Sequence, residues 1–409
     1  MKILSNHKNT SKIDEVKMDG KKLFSKLYID RVQERLKDAL KNYEIGELEE
    51  KQSIIVNGKK CVSLQKSFSS VVENPIFRSI LERGQKPVFF HGDLHFENIL
   101  IKQNSVLKIV DPNGAECGLI SYDYGKLLHS ALGKYSLIQD FRFILKEVTS
   151  EQWLLEIQET EEHRIISQKV IKKMKAQLNN LEFLQALFAC WCHMIALIPH
   201  HIANGKQQHI AFYLRALEIG RIFCETLNNY GAWKTVSQKN IFDNKRMVIR
   251  EDVVQLPDGA DGYYTVWDTC RAVAIVAIDS GRVLLKREYR HPVNSVIYDL
   301  PGGGVETKEN VLDAAARELY EETGYVSETL RVVGSFYMDP GRSNREIFIV
   351  LAENVKIKKD AEKRTFIEND AFIHYGFFDI SEVLSMIKKG EIKDNSLITG
   401  MFFVMQEIV

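Results

Sequence analysis

The chain has no surplus charge of either sign: Lys plus Arg and Asp plus Glu both number 55 in 409 residues. Overall charge therefore gives no drive towards nucleic acid or an anionic membrane surface, and neither is expected as a partner. The six cysteines, at 61, 117, 190, 192, 224 and 270, lack the paired spacing of a metal site and are expected as free, mostly buried thiols. Residues 1–8 contain no apolar run of signal-peptide length, which predicts a cytosolic, cytoplasmic protein. The most apolar stretch, residues 183–198, is short for a bilayer and carries Gln185 and His193, so a buried helix is expected there. Internal repeats and low-complexity tracts are missing as well.

What is present is length enough for two domains. Phe24, Leu27, Tyr28, Val32, Leu36, Leu40 and Tyr43 recur at spacings of three and four, predicting an amphipathic helix over 23–43. A short helix over 76–82, closed by Gly84, precedes an apolar strand over 88–90. Helical patterns follow at 124–132 and 141–147 and continue to about 230, so the first half reads as mostly α. The polar stretch 231–244 reads as a boundary, giving domains at 1–235 and 246–409. Beyond it the pattern is β-rich, with a hairpin over 271–285 turning at Asp279-Ser280-Gly281. Further strands are expected at 335–338, 347–351 and 372–378, and helices at 311–322, 381–389 and 396–407.

The most informative segment runs from Gly303-Gly304-Val305-Glu306-Thr307-Lys308-Glu309 to Arg317-Glu318-Leu319-Tyr320-Glu321-Glu322-Thr323-Gly324-Tyr325. Asn310 suits an N-cap, with Asp313 three positions on, and Gly324 suits the left-handed residue that ends a helix. Leu312, Ala315, Ala316 and Leu319 form a narrow apolar stripe for packing on a sheet. Glu318 and Glu322 are one turn apart with Glu321 beside them. Three such carboxylates repel unless a cation neutralises them, and their oxygens are the hard ligands that Mg2+ or Mn2+ prefers. Arg317 can hold one of them by a forked hydrogen bond.

Glycine, five residues, glutamate, seven residues, Arg-Glu, an apolar residue, any residue, Glu-Glu, any residue, glycine resembles the Nudix box. Tyr325 departs from its usual closing aliphatic residue. The segments Leu285-Lys286-Arg287-Glu288-Tyr289-Arg290 and Asp299-Leu300-Pro301-Gly302-Gly303 resemble the "QYR" and "ELPAG" segments of ADP-ribose pyrophosphatases, with Glu288, Asp299 and Gly302 as departures. Pro340, 15 residues beyond Tyr325, stands where that branch carries proline. The resemblance implies an α/β/α Nudix sandwich that hydrolyses a nucleoside diphosphate joined to another group, above all ADP-ribose to AMP and ribose 5-phosphate. Water would attack a diphosphate phosphorus with two or more divalent ions assisting. It implies metal ligands at Glu318, Glu321, Glu322 and the Gly302 carbonyl, with Arg317 in support, and a late-loop acid, Glu368 or else Asp370. Arg290, Asp299, Pro340 and Arg342 are the substrate-binding candidates. It also implies a homodimer through this domain, for which residues 246–254 are the candidate strand.

In the first half, His91-Gly92-Asp93-Leu94-His95-Phe96-Glu97-Asn98 has the Asp-to-Asn spacing of a kinase catalytic loop. Asp111 follows 13 residues after Asn98, at the end of an apolar strand, and Tyr122-Asp123-Tyr124-Gly125-Lys126 begins a helix. Together these resemble the aminoglycoside phosphotransferase and small-molecule kinase family, implying a protein-kinase-like fold. The residues before His91 read as helical, and their glycines at 20, 46, 58 and 84 form no Gly-rich loop. This half is therefore expected as a C-lobe lacking the N-lobe, with Asp93, Asn98 and Asp111 vestigial. His95, His200 and His201 are read as structural or exposed rather than metal-binding.

Three readings follow. The first is a diphosphate hydrolase. The second is a binding or regulatory protein with a degenerate kinase-like module. The third is a sugar kinase fused to a nucleoside diphosphate sugar hydrolase. Intact Arg317, Glu318, Glu321 and Glu322 favour the first.

Overall fold

The structure, a computed structural model, describes residues 19–102, 106–113, 117–203, 207–244, 247–358 and 374–408. The chain divides into two compact units, Met1–Ala232 and Trp233–Val409. The division falls at the start of the polar stretch 231–244. The rest of that stretch is not a linker: Lys234–Asp243 is a strand of the second unit.

The first unit is built on an aromatic and aliphatic core that includes Phe24, Tyr28, Phe68, Phe188, Trp191 and Phe223. Helix Asn180–Leu197, opened by a capping box between Asn179 and Glu182, runs through it with Leu184 to Ala196 buried, as the apolar stretch leads one to expect. Helix Ile120–Ala131 crosses it at Gly125. A Cβ on Gly125 would lie 2.4 Å from the Ala189 Cβ, so the missing side chain is what permits the approach. That approach sets the position of Asp123 and Lys126.

Two helical expectations fail in this unit. Residues 53–62, within the supposedly helical run before His91, form a hairpin of Ser53–Val56 and Lys59–Val62. Its turn residues Asn57 and Gly58 have φ of 49° and 75°, the left-handed pair that Asn-Gly supplies at low cost. Residues 141–147 are likewise not helical. Phe143–Thr149 pairs with Gln152–Ile157. The two hairpins join in one four-stranded sheet through a parallel contact between Ser53–Val56 and Gln152–Ile157.

The second unit centres on a mixed sheet whose strand order is Ser295–Asp299, Arg282–Arg290, Ala272–Asp279, Glu346–Glu353 and Thr329–Tyr337. Gly302–Gly304 and His374–Asp379 add to it by pairing with Ala272–Asp279 and Arg282–Arg290. Side chains alternate across the sheet. Ala272, Ala274 and Val276 face Val383, Met386, Leu397, Met401 and Val404 of the two C-terminal helices, Ile380–Lys388 and Asn395–Ile408. Val273, Ile275 and Ala277 face Ala314, Ala315 and Leu319 of helix Val311–Thr323. The result is an α/β/α sandwich. A separate three-stranded sheet precedes it, in which Val248–Gln255 is paired on both sides, by Lys234–Asp243 and Asp261–Asp268. The strand expected to serve an interface is thus the central one, with both its edges taken within its own chain.

The expected stripe on helix Val311–Thr323 is only half right. Ala315 and Leu319 are buried, but Leu312 and Ala316 are exposed and Ala314 is buried in their place. At about 100° per residue, 312 and 316 stand roughly 200° from 314 and 318. Burying them would turn Glu318 and Glu322 away from the sheet.

Candidate functional site

The acidic helix starts and stops as its sequence directs. Asn310 Oδ1 accepts the N–H groups of Leu312 and Asp313, each at 2.9 Å, and Gly324, at φ 76°, donates its N–H to Tyr320 O at 2.8 Å. One turn of helix then brings Glu318 and Glu322 against the loop Leu300–Gly304. Gly302 N–H donates to Glu322 Oε2 at 2.9 Å. A Cβ on Gly303 would lie 2.3 Å from Glu318 Oε1, so the bare backbone is what lets this carboxylate sit there.

Arg317 binds more than one carboxylate. Its Nε and Nη2 fork onto Glu309, both at 2.9 Å, while Nη1 reaches Glu318 at 2.8 Å and Glu321 at 3.1 Å. Nη2 also donates to the Gly304 carbonyl at 2.9 Å. Hydrogen bonding to Glu309 and then to Glu318 raises the guanidinium's pKa further, so this charge is permanent. Glu309 belongs to the sequence pattern but had no role assigned. The structure makes it the forked partner.

Lys286 was missed altogether. Its ammonium, on a side chain only 3% exposed, lies 2.8 Å from Glu322 Oε1 and 3.3 Å from Glu288 Oε1. Burial lowers its pKa, but Glu322, Asp299 and Glu288 together raise it more. Burial raises the Glu322 carboxyl, and Lys286 and the Gly302 N–H offset this only in part.

The donor set fits a divalent ion in kind: two carboxylates converging on the Gly302–Gly303 backbone, all hard oxygen donors. Among the described residues, however, no group of three or more His, Cys, Asp or Glu side chains is close enough to hold a metal. Glu321 stands at the surface, 55% exposed, and turns to Arg317. Glu368 and Asp370, the late-loop acids, lie outside the described residues.

A cavity of about 500 Å³ adjoins the loop, with Trp267, Lys286, Arg290, Asp299, Gly302 and Asp394 in its wall. Arg290 Nη2 is 2.6 Å from Asp299 Oδ2 and 2.5 Å from Glu288 Oε1. Asp299 is itself hydrogen-bonded to Asp394, whose pKa rises to about 6 through burial and through the neighbouring Asp299 carboxylate. Pro340 and Arg342 are exposed and do not line this cavity; Met338 and Arg345, their sequence neighbours, do. They lie in a turn at Asp339, whose carbonyl accepts the N–H groups of Arg342 and Ser343 at 3.0 and 2.8 Å.

In the first unit, the buried Asp123 carboxylate accepts the N–H groups of His91 and Gly92 at 2.7 and 2.8 Å and so shapes the loop. Asn98 Nδ2 donates to the Asp93 carbonyl at 2.9 Å. Asp93 itself faces Lys126 Nζ at 2.9 Å and His95 Nε2 at 3.3 Å. The hydrogen bond with His95, followed by that with Lys126, holds its carboxyl well below the usual carboxylate range, against burial. Asp111 is exposed, with φ 59°.

Comparison with known proteins separates the same two parts. Residues 268–399 match the model of the NUDIX domain, and residues 27–142 match that of the Phosphotransferase enzyme family. The chain is 28% identical over 162 residues to an ADP-ribose pyrophosphatase of Bacillus subtilis, covering 39% of this chain and 86% of that one. It is 29% identical over 176 residues to a protein of Bacillus methanolicus named methanol dehydrogenase activator, covering 42% and 94%. An ADP-ribose pyrophosphatase of Mycobacterium tuberculosis is 28% identical over 174 residues, covering 42% and 83%.

Proposed function

We propose that the second unit, with its NUDIX domain at residues 268–399, hydrolyses a nucleoside diphosphate joined to another group, with ADP-ribose as the substrate and AMP and ribose 5-phosphate as products. The observation that carries this reading is the convergence of Glu318 and Glu322 on the backbone of Gly302 and Gly303. The choice of ADP-ribose is supported by the similarity to two ADP-ribose pyrophosphatases. Bound Mg2+ or Mn2+ would polarise the phosphoryl oxygens and lower the pKa of the attacking water.

The chain's own residues do the rest. Glu318, Glu322 and the Gly302 carbonyl would hold the ion, and Glu321 stands near enough to Arg317 to join them on reorientation. Arg317 keeps Glu309, Glu318 and Glu321 from repelling one another. Arg290 and Lys286 bring positive charge to the cavity wall where a diphosphate would lie, and Asp299 orients Arg290. Trp267 offers an aromatic surface on the same cavity for a base.

The first unit, in this reading, is a kinase-like C-lobe without the part that covers ATP, and it does not transfer phosphate. The ion pair between Lys126 and Asp93 favours this: the carboxylate is already engaged by a fixed cation. The second unit is proposed to form a homodimer.

The test is direct. Purified full-length chain with magnesium is offered a panel of nucleoside diphosphate sugars, and products are separated by chromatography. Release of AMP from ADP-ribose in preference to the other substrates is expected. No turnover of any of them would remove the proposal.

A further inference from the structure

The buried ammonium of Lys286 calls for a physical reason. Strand Arg282–Arg290 carries three aliphatic side chains into the interior, Val283, Leu284 and Leu285, and the next residue is a lysine that is buried as they are. Taking an ammonium out of water is costly unless it is paired and hydrogen-bonded. Here it is paired twice, at 2.8 Å to Glu322 and at 3.3 Å to Glu288. The strand register places Lys286 opposite Asp299, which adds a third negative charge nearby.

The pairing has a consequence for cation binding. Glu322 has two carboxylate oxygens. Lys286 takes Oε1 and the Gly302 N–H takes Oε2, so neither is without a donor. A carboxylate oxygen has a second lone pair, so a divalent ion can still approach, but it must do so with a positive charge already seated on the same group. The two cations repel in a partly buried site, where charge is poorly screened. Glu318 is not burdened in the same way, since its partner Arg317 is shared with Glu309 and Glu321.

We propose that Lys286 is an internal cation at the Nudix carboxylates, supplying at Glu322 positive charge that a divalent ion would otherwise bring, and so reducing the affinity or number of divalent ions held there. This rests on the reading of Glu318 and Glu322 as metal-binding groups. Lys286 competes with the metal, and the substrate diphosphate, lying on the same cavity wall, meets a fixed ammonium as well as whatever ion is bound.

Mn2+ binding to the full-length chain, followed by calorimetry and by the electron paramagnetic resonance signal of free Mn2+, tests it without any assay of turnover. Sites at the Nudix carboxylates are identified by their loss in Glu322→Gln. In Lys286→Met, which keeps length and removes charge, Mn2+ is expected to bind at least tenfold more tightly, or one more ion per chain. Lys286→Gln, which stays polar, guards against a misfolded methionine variant and must show the same tightening. Lys286→Arg, which keeps the charge, must not. If wild type binds Mn2+ and the two neutral variants bind it equally well or less well, the inference fails while the proposed function stands. If wild type and both neutral variants bind none at these carboxylates, both fail. If only the neutral variants bind it, the inference holds and the metal-dependent hydrolysis proposed above does not.

Discussion

Lys126 Nζ lies 2.9 Å from Asp93 Oδ1, so the carboxylate that a kinase would use as its proton acceptor has a lysine on one oxygen and His95 on the other. The histidine belongs to the loop itself, and the lysine comes from the helix the loop packs against. Helix Ile120–Ala131 is drawn close by the Gly125–Ala189 contact, and it presents Lys126 one turn after Asp123, which holds the loop backbone. The loop is thus held by Asp123, while Asp93 stands as half of an ion pair.

The first expectation is that this unit does not phosphorylate an acceptor. Phosphoryl transfer depends on positioning and on charge stabilisation of the triphosphate, which no Gly-rich loop before His91 provides. With labelled ATP and a panel of sugars and aminoglycosides, acceptor phosphorylation should stay at background. Asp93→Asn should leave diphosphate hydrolysis unchanged. Phosphorylated acceptor that vanishes in Asp93→Asn but persists in Glu322→Gln would reveal a working kinase.

Glu322→Gln should lower hydrolysis a hundredfold or more, about 3 kcal/mol of barrier, with the fold intact. Glutamine can still accept the Gly302 N–H but cannot supply the negative charge that a divalent ion needs. Turnover near that of the parent in a variant with unchanged thermal melting would refute the assignment of this side chain.

The helix that carries these acids was legible because its signals are local: Asn310 and Gly324 cap it within a residue of where they were expected. The charge partners were not, because they are distant in sequence. Lys286 reads as one lysine in a basic strand until the fold brings it across 36 positions to Glu322. The Asp299–Asp394 pair likewise exists only once the helix Asn395–Ile408 docks. Among the missed strands the cause differs. Asn57-Gly58 was a readable hairpin turn, whereas Phe143–Thr149 is a short apolar run whose spacing suits a helix equally well. Pro340 and Arg342 were placed by resemblance, and both are exposed outside the cavity wall.

Asp394 should make stability fall as pH rises. Its folded pKa of about 6 lies above the ordinary value of 3.8, so the folded chain holds a proton that the unfolded chain has released between those two values. That stabilisation is fully present below about 4 and is lost as pH rises through about 6. Asparagine keeps an oxygen for the Leu397 N–H, now bonded at 2.8 Å, and carries no charge to be penalised. Asp394→Asn should match wild type near pH 4 and exceed it above pH 6 by about 1–3 kcal/mol, reduced because the group is partly exposed. Denaturant melts at both pH values decide; an advantage that does not grow with pH counts against the pair.

Light scattering at micromolar concentration should give twice the 47.1 kDa chain mass. Because Val248–Gln255 is paired on both sides, contact is expected through the outer strand Lys234–Asp243, which exposes Val236, Ile241 and Phe242. Aromatic and aliphatic strand side chains left in water are unfavourable. A monomeric mass would overturn the dimer, and Phe242→Glu should shift a dimer towards monomer.

Gly303→Ala separates the proposed metal site from the fold. The backbone at Gly303 is not in the left-handed region, so alanine meets no conformational penalty there. Its Cβ would fall 2.3 Å from Glu318 Oε1, and the atom in the way is the end of a flexible side chain, not backbone. Glu318 therefore yields by rotating away from the loop, and the pairing of Gly302–Gly304 with Ala272, Val273 and Ala274 is kept. Rotation carries its carboxylate away from Glu322 and the Gly302 carbonyl, so any ion loses a ligand while stability changes little. The expected result is an unchanged melting temperature with a magnesium requirement raised tenfold or more. Should the variant hydrolyse at the parent's rate and with the parent's magnesium dependence, Glu318 is not at the metal, and the acid beside Gly303 serves only to hold Arg317.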